Sequence, residues 1–111
     1  MGHYTHRAII VTGQGAFGDD LELAEAHKLA TQLGNLVTPI ASTGMNGYAS
    51  FAVLPNGGKD HGEHGQQHRA SRESLLAHLT TTRLEWVAVR YGRDDDSAAV
   101  IAHPYTPQEA T

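Results

Sequence analysis

The chain has 111 residues, of which 40% are hydrophobic and 18% charged, and its formal net charge is −4. This length suits one domain with a modest core. The negative net charge and the scattered positions of Lys and Arg give no general attraction to phosphate backbones, so nucleic-acid binding is not expected. The absence of cysteine excludes disulfides and thiolate metal sites, and no apolar run is long enough to span a membrane, so a cytoplasmic location is the default expectation.

The chain divides into three predicted parts. Residues 1–6 form an N-terminal extension that can include part of a purification tag, residues 7–103 form a single α+β domain, and residues 104–111 form a flexible tail.

The first predicted strand runs from Arg7 to Thr12, because Ile9, Ile10 and Val11 form a β-branched run. Such a run is typical of a central strand that is buried on both faces. A first helix follows from Asp19, where carboxylates favour a helix N-terminus, and it ends at Gly34-Asn35.

Two further strands are predicted over Leu36 to Ser42 and Tyr48 to Leu54. Asn46-Gly47 between them can adopt the positive φ angles of a hairpin turn, and Pro39 places the first of the two at a sheet edge. An irregular, histidine-rich loop is predicted to continue as far as about Arg69.

A second helix is predicted to begin at Ser71, whose hydroxyl can cap it. Strands from Leu84 to Tyr91 and from Ser97 to His103 then form a hairpin. The resulting order β-α-β-β-α-β-β contains the ferredoxin-like βαββαβ unit with one extra C-terminal strand, with two helices on one face of a mainly antiparallel sheet.

The other face of that sheet is then open to solvent or to a partner. Sequence alone leaves the register undetermined, so the open face is expected to hold some of six residues on two strands, namely Tyr48, Ser50, Ala52, Trp86, Ala88 and Arg90. We assign the interaction face to Tyr48, Trp86 and Arg90, because a partly apolar open face favours association with a copy of the chain or with another protein.

A glycine-rich segment follows the first strand. Gly13, Gly15 and Gly18 match G-x-G-x-x-G between a predicted strand and a predicted helix, which is the local context of a dinucleotide-binding turn. Asp19 and Asp20 place negative charge where the pyrophosphate would lie, so a flexible strand-to-helix turn is the favoured interpretation and nucleotide binding is the third functional hypothesis.

A histidine cluster lies in the predicted loop. His61, His64 and His68 form H-x-x-H-x-x-x-H, and imidazoles with nearby Asp60 and Glu63 can ligate Zn or another divalent metal. On a helix the three histidines would share a face, but Gly62 and Gly65 disfavour a helix, so a solvated loop without a bound metal is the favoured interpretation.

The run Asp94-Asp95-Asp96 is interpreted as a solvated hairpin tip rather than a cation site, because consecutive strand side chains alternate in direction. No local signature of a nucleophilic enzyme is present, which favours a non-enzymatic role.

Two segments carry a family resemblance. Residues 46–57, reading NGYASFAVLPNG, and residues 86–92, reading WVAVRYG, with Lys59 and a helix between them, resemble small proteins of unknown function from bacteriophages of actinobacteria. The resemblance implies a phage accessory protein and supplies no active site.

The leading hypothesis is a non-enzymatic protein-interaction module without a cofactor. It would form a homodimer through its sheet face or edge, or bind a protein of the host or of the phage. The alternative is a metal- or small-ligand-binding protein that uses the histidine cluster.

Overall fold

The computed structural model describes residues 6–14, 19–42, 44–55, 62–92 and 95–104. In this part of the chain two helices and six strands follow one another, and the predicted α+β class is confirmed. In chain order they are β1 (His6–Gln14), α1 (Asp19–Gln32), β2 (Leu36–Val37), β3 (Ala41–Ser42), β4 (Tyr48–Leu54), α2 (Gly62–Leu79), β5 (Glu85–Gly92) and β6 (Asp95–Ala102).

The strands form one antiparallel sheet in the order β2-β4-β1-β5-β6, with β3 also paired to β4. As predicted, β1 is central. It is not buried on both faces, however, because Ile10 is 46% exposed while its neighbour Ile9 is 1% exposed. An antiparallel sheet needs a cover on only one face, and a short β-branched run does not distinguish the two cases.

The predicted strand Leu36 to Ser42 is divided into β2 and β3 in the structure. Pro39 lies in the break, where a missing N–H prevents continuous pairing. Thr38 holds the break to the sheet, since its N–H donates to the Ala52 carbonyl at 2.9 Å and its hydroxyl accepts from the Ala52 N–H at 2.9 Å. The sheet therefore has six strands where five were predicted.

Helix α1 ends at the predicted glycine. Gly34 has φ of +87°, the Asn35 N–H donates to the Ala30 carbonyl at 3.1 Å, and the Gly34 N–H donates to the Thr31 carbonyl at 3.0 Å. This pair of bonds is the Schellman pattern, which satisfies helix carbonyls that would otherwise lack donors. The turn before β4 also agrees with the prediction, because Asn46 and Gly47 have φ of 54° and 74°.

Helix α2 begins nine residues earlier than predicted, at Gly62 rather than Ser71. Ser71 is therefore not a cap. It lies inside the helix, where its hydroxyl donates to the carbonyl of Leu33, the residue after α1, at 2.8 Å. Two glycines cost a helix about 1 kcal/mol each, but burial of Leu75 and Leu79 anchors it, and tertiary packing outweighs such costs.

The core lies between the two helices and one face of the sheet. Small residues on α1, Ala26 and Ala30, are fully buried there and permit close packing of neighbouring elements. The buried cluster comprises Ile9, Val11, Leu23, Ala26, Ala30, Phe51, Val53, Leu75, Leu79, Leu84, Trp86 and Ala88.

None of the helices that the structure describes is long and apolar enough to cross a membrane.

Candidate interaction surfaces

The strand register assigns each side chain to one of two faces, since directly opposed residues in an antiparallel sheet point the same way. Val11 is opposite Phe51 and Trp86, and all three belong to the buried cluster beneath the helices, on what we call the covered face. Ile10 is opposite Ala52 and Val87. These residues lie on the other face, which we call the open face.

One half of the open face is apolar across the full width of the sheet. Ile10, Ala52 and Val87 form one apolar row across the strands. A second apolar row lies beside it, in which Val89 is opposite Ala8 and Val100, and Leu54 is opposite Leu36. We call this the open-face patch, and it consists of Ala8, Ile10, Leu36, Ala52, Leu54, Val87, Val89, Tyr91 and Val100. Five of these residues, Ile10, Leu36, Leu54, Tyr91 and Val100, are exposed large hydrophobics, and the patch contains no Asp, Glu, Lys or Arg.

A shallow groove of about 490 Å³ adjoins the patch, and Ile10, Thr38, Pro39 and Ala41 are among its lining residues. It lies where the edge of the sheet is interrupted between β2 and β3. The proline that divides the edge strand therefore also shapes a depression beside the apolar surface.

The other half of the open face is polar. Thr12 and Ser50 are opposed and share a hydrogen bond of 2.8 Å between their hydroxyls, and Glu85 is opposite Thr12 on the other side. Farther along β1, the Gln14 side chain donates to the Asn46 carbonyl at 2.7 Å. The open face thus changes from apolar to polar along the length of β1.

The three residues assigned from the sequence to the interaction face do not lie together. Tyr48 is opposite Gln14, at the polar end of the open face. Trp86 is only 8% exposed and belongs to the core, and Arg90 is on the same side of β5 as Trp86 and Ala88. Placing Trp86 and Arg90 on the open face was therefore wrong, because the register of β5 turns even-numbered residues towards the helices.

The two outer strands of the sheet differ. On one side the edge is short and interrupted at Pro39, which is a common protection against pairing with another chain. On the other side, β6 spans eight residues, Asp95–Ala102, and its pairing with β5 contains register shifts. Such irregularities bend an edge strand and weaken it as a template for another strand.

The glycine-rich segment is only partly described. Gly13 and Gln14 belong to β1 and are opposite Ala49 and Tyr48, while residues 15–18 lie outside the described part of the chain. Gly15 and Gly18 are among them. The nucleotide hypothesis therefore stays a prediction.

The histidine cluster is likewise only partly described. His61 lies outside the described residues, and the backbone at His64 and His68 is helical, which corrects the predicted loop over these positions. Among the residues whose side chains the structure describes, no group of three His, Asp or Glu is arranged to hold a metal ion. Zinc binding by His61, His64 and His68 stays a prediction.

Two other histidines, His27 and His78, lie on the two helices. One ring nitrogen of His27 is 2.9 Å from the Thr38 carbonyl, and its ring meets Phe51 edge-on with centroids 5.1 Å apart. His27 therefore links α1 to the interrupted edge of the sheet. His78 has a buried Nε2 atom on α2.

No family model, curated protein or solved structure matches the chain. The class of protein is therefore defined by the structure alone as a small α+β domain with two helices on one face of an open antiparallel sheet.

Proposed function

We propose that this protein is a non-enzymatic interaction module that binds through the open-face patch. The observation that carries the proposal is the uninterrupted apolar surface around Ile10, which is 46% exposed on a central strand. Exposed apolar surface on a sheet face is typical of protein interaction sites.

The chemistry of the patch favours a protein partner. A nucleic acid would require cationic side chains, and the patch contains neither Lys nor Arg. An apolar centre bordered by Thr12, Ser50 and Glu85 has the arrangement of a protein interface, where an apolar core is surrounded by a polar rim.

We propose a second copy of the same chain as the partner. A two-fold contact places the same patch on both sides of the interface, so an uncharged patch meets an uncharged patch without electrostatic repulsion. A two-fold axis near Ile10 would bury the apolar rows of both copies and leave the hydroxyl and carboxylate side chains at the periphery.

The biological setting is proposed from the resemblance to actinobacteriophage proteins alone. In that setting the protein would be a phage accessory protein in the host cytoplasm, and its patch or its dimer would act on a host or phage protein.

We also propose a ferredoxin-like arrangement, and this proposal is based on strand order. If β2 and β3 are counted as two halves of one edge strand, the order is that of a βαββαβ unit with β6 appended.

The test is sedimentation equilibrium of wild type, Ile10→Glu and Leu21→Glu over a range of concentrations. Ile10→Glu introduces two carboxylates near the proposed axis, so we expect dimer association to weaken about a hundredfold or more. Leu21→Glu is the matched control, because Leu21 is 76% exposed on α1 and lies away from the sheet face. It should leave association unchanged.

Two results would overturn the proposed dimer. One is a wild-type protein that stays monomeric at all concentrations, and the other is equal association of wild type and Ile10→Glu. Fluorescence of Trp86, the only tryptophan, verifies that each variant is folded, because this side chain is buried in the core.

A further inference from the structure

A second surface lies on the covered side of the sheet, where helix α2 leaves a cleft of about 180 Å³ over β1, β5 and β6. Its rim carries three arginines, Arg7 from β1 and Arg69 and Arg72 from α2. Among the lining residues that the structure describes, Glu73 is the one carboxylate. The chain has a net charge of −4, yet the described part of this lining has three arginines and one glutamate.

The earlier start of α2 is what brings these arginines together. Arg69 was assigned from sequence to the end of a loop, but it is helical in the structure. Residues three apart lie on the same side of a helix, so Arg69 and Arg72 are neighbours on the side that borders the cleft. Arginines that are scattered in the sequence therefore converge in the fold.

A fourth arginine stands beside the cleft. Arg90 on β5 is directly opposite Arg7 on β1, and the Nε atoms of both are buried. Arg90 therefore adds a further cationic side chain next to those that line the cleft. All four arginines also take part in an interaction within the chain.

The floor of the cleft is apolar. Leu76 of α2 and Ala88 of β5 contribute to it, together with Ile101 and Ala102 of β6. Ile101 reaches the cleft at an irregularity of β6, because Val89 is opposite Val100 while Ala88 is opposite Ala102. Ile101 is thus the extra residue of a β-bulge, a feature that redirects side chains towards binding sites.

We propose that this cleft binds a small organic anion, in which a carboxylate or phosphate head group is attached to a short apolar body. Guanidinium groups match the planar, bidentate geometry of both head groups. The volume is smaller than that of pockets for drug-sized ligands, so the ligand is of fragment size and binds weakly. The arginines of the site lie on the opposite face from the open-face patch, and Ala8 is the one described residue that the two share.

The test is a titration of the full chain followed by ¹H–¹⁵N correlation spectra, with hexanoate, hexyl phosphate, acetate and hexylammonium as probes. We expect saturable shifts at the residues that line the cleft with hexanoate, hexyl phosphate or both, and weaker binding of acetate, which lacks the apolar body. Hexylammonium has the same body with the opposite charge and should not bind there. The tighter of the two hexyl anions identifies the head group.

Arg72→Gln removes one cation while keeping a polar side chain, and it should weaken binding of the preferred anion about tenfold or more. Arg83→Gln is the matched control, because Arg83 forms its ion pair with Glu22 outside the cleft, at 3.6 Å. The proposal is overturned if neither hexyl anion gives saturable shifts at the cleft, if hexylammonium binds there equally well, or if both substitutions weaken binding to the same extent. The probe comparison in the wild type decides the question even if a variant fails to fold.

Discussion

The two faces of the sheet are built from alternate residues of the same strands, yet they meet different surroundings. Ile9 and Ile10 are adjacent and chemically identical, but Ile9 is 1% exposed beneath the helices and Ile10 is 46% exposed on the open face. The covered face contributes its large side chains to the core, whereas the open face presents comparable side chains to solvent. The comparison shows that hydrophobicity alone does not identify the core of this protein.

The open face is also uneven along the length of β1. Its apolar rows lie at the end of β1 that holds Ala8 and Ile10, and its polar rows lie at the end that holds Thr12 and Gln14. A sheet face that contacts only water does not require its apolar residues to lie together, whereas a contiguous apolar patch is typical of an interaction site. This unevenness is why we propose an interface on the open face.

The largest expected effect comes from truncating the two neighbouring isoleucines. Ile9→Ala should lower the free energy of unfolding by about 3 kcal/mol, because it opens a cavity in the core. Ile10→Ala should lower it by less than about 1 kcal/mol in dilute solution, where the open face contacts water. Urea unfolding followed by Trp86 fluorescence measures both, and equal losses would show that both faces are buried.

A smaller effect is expected where the two covering helices are joined. Ser71→Ala removes the hydrogen bond to the Leu33 carbonyl and should cost about 1 kcal/mol of stability relative to its control. The control is Ser74→Ala, an exposed position one turn farther along α2. Alanine favours the helix equally at both positions, so the difference between the two variants in thermal unfolding isolates the bond. No difference would show that this bond does not stabilise the cover.

The smallest effect is expected at the polar end of the open face. Thr12→Val and Ser50→Ala each remove one partner of the cross-strand hydroxyl pair. A double-mutant cycle on unfolding free energies should give a coupling of about 0.5 kcal/mol, because the pair is only partly buried. A coupling above about 2 kcal/mol would show that this end of the face is shielded from water.

Much of the fold followed from local chemistry. The positive φ angles of Gly34, Asn46 and Gly47 occur where the sequence predicts a helix end and a turn, and β4 has the predicted bounds Tyr48–Leu54. The prediction failed at the start of α2, where two glycines and several histidines suggested a loop. Local helix propensity is a weak signal there, because the buried leucines later in the helix stabilise the whole segment.

The candidate surfaces were less predictable than the fold. Placing Trp86 and Arg90 on the open face failed because a shift of one residue in register reverses the facing of a whole strand. The run from Ile9 to Val11 is hydrophobic at every position, so it contains no alternation from which the covered side can be identified. The arginine cleft was missed because its members lie on separate elements.

The sequence by itself determined the α+β class, the central position of β1, the glycine-containing turns and the edge position of the segment with Pro39, because each depends on local backbone preferences or short hydrophobic runs. Only the tertiary structure decided that Ile10 faces outward, that Trp86 faces inward and that Arg7 meets Arg69 and Arg72 at one cleft. These outcomes depend on strand register and helix placement, which arise from contacts between residues far apart in the chain.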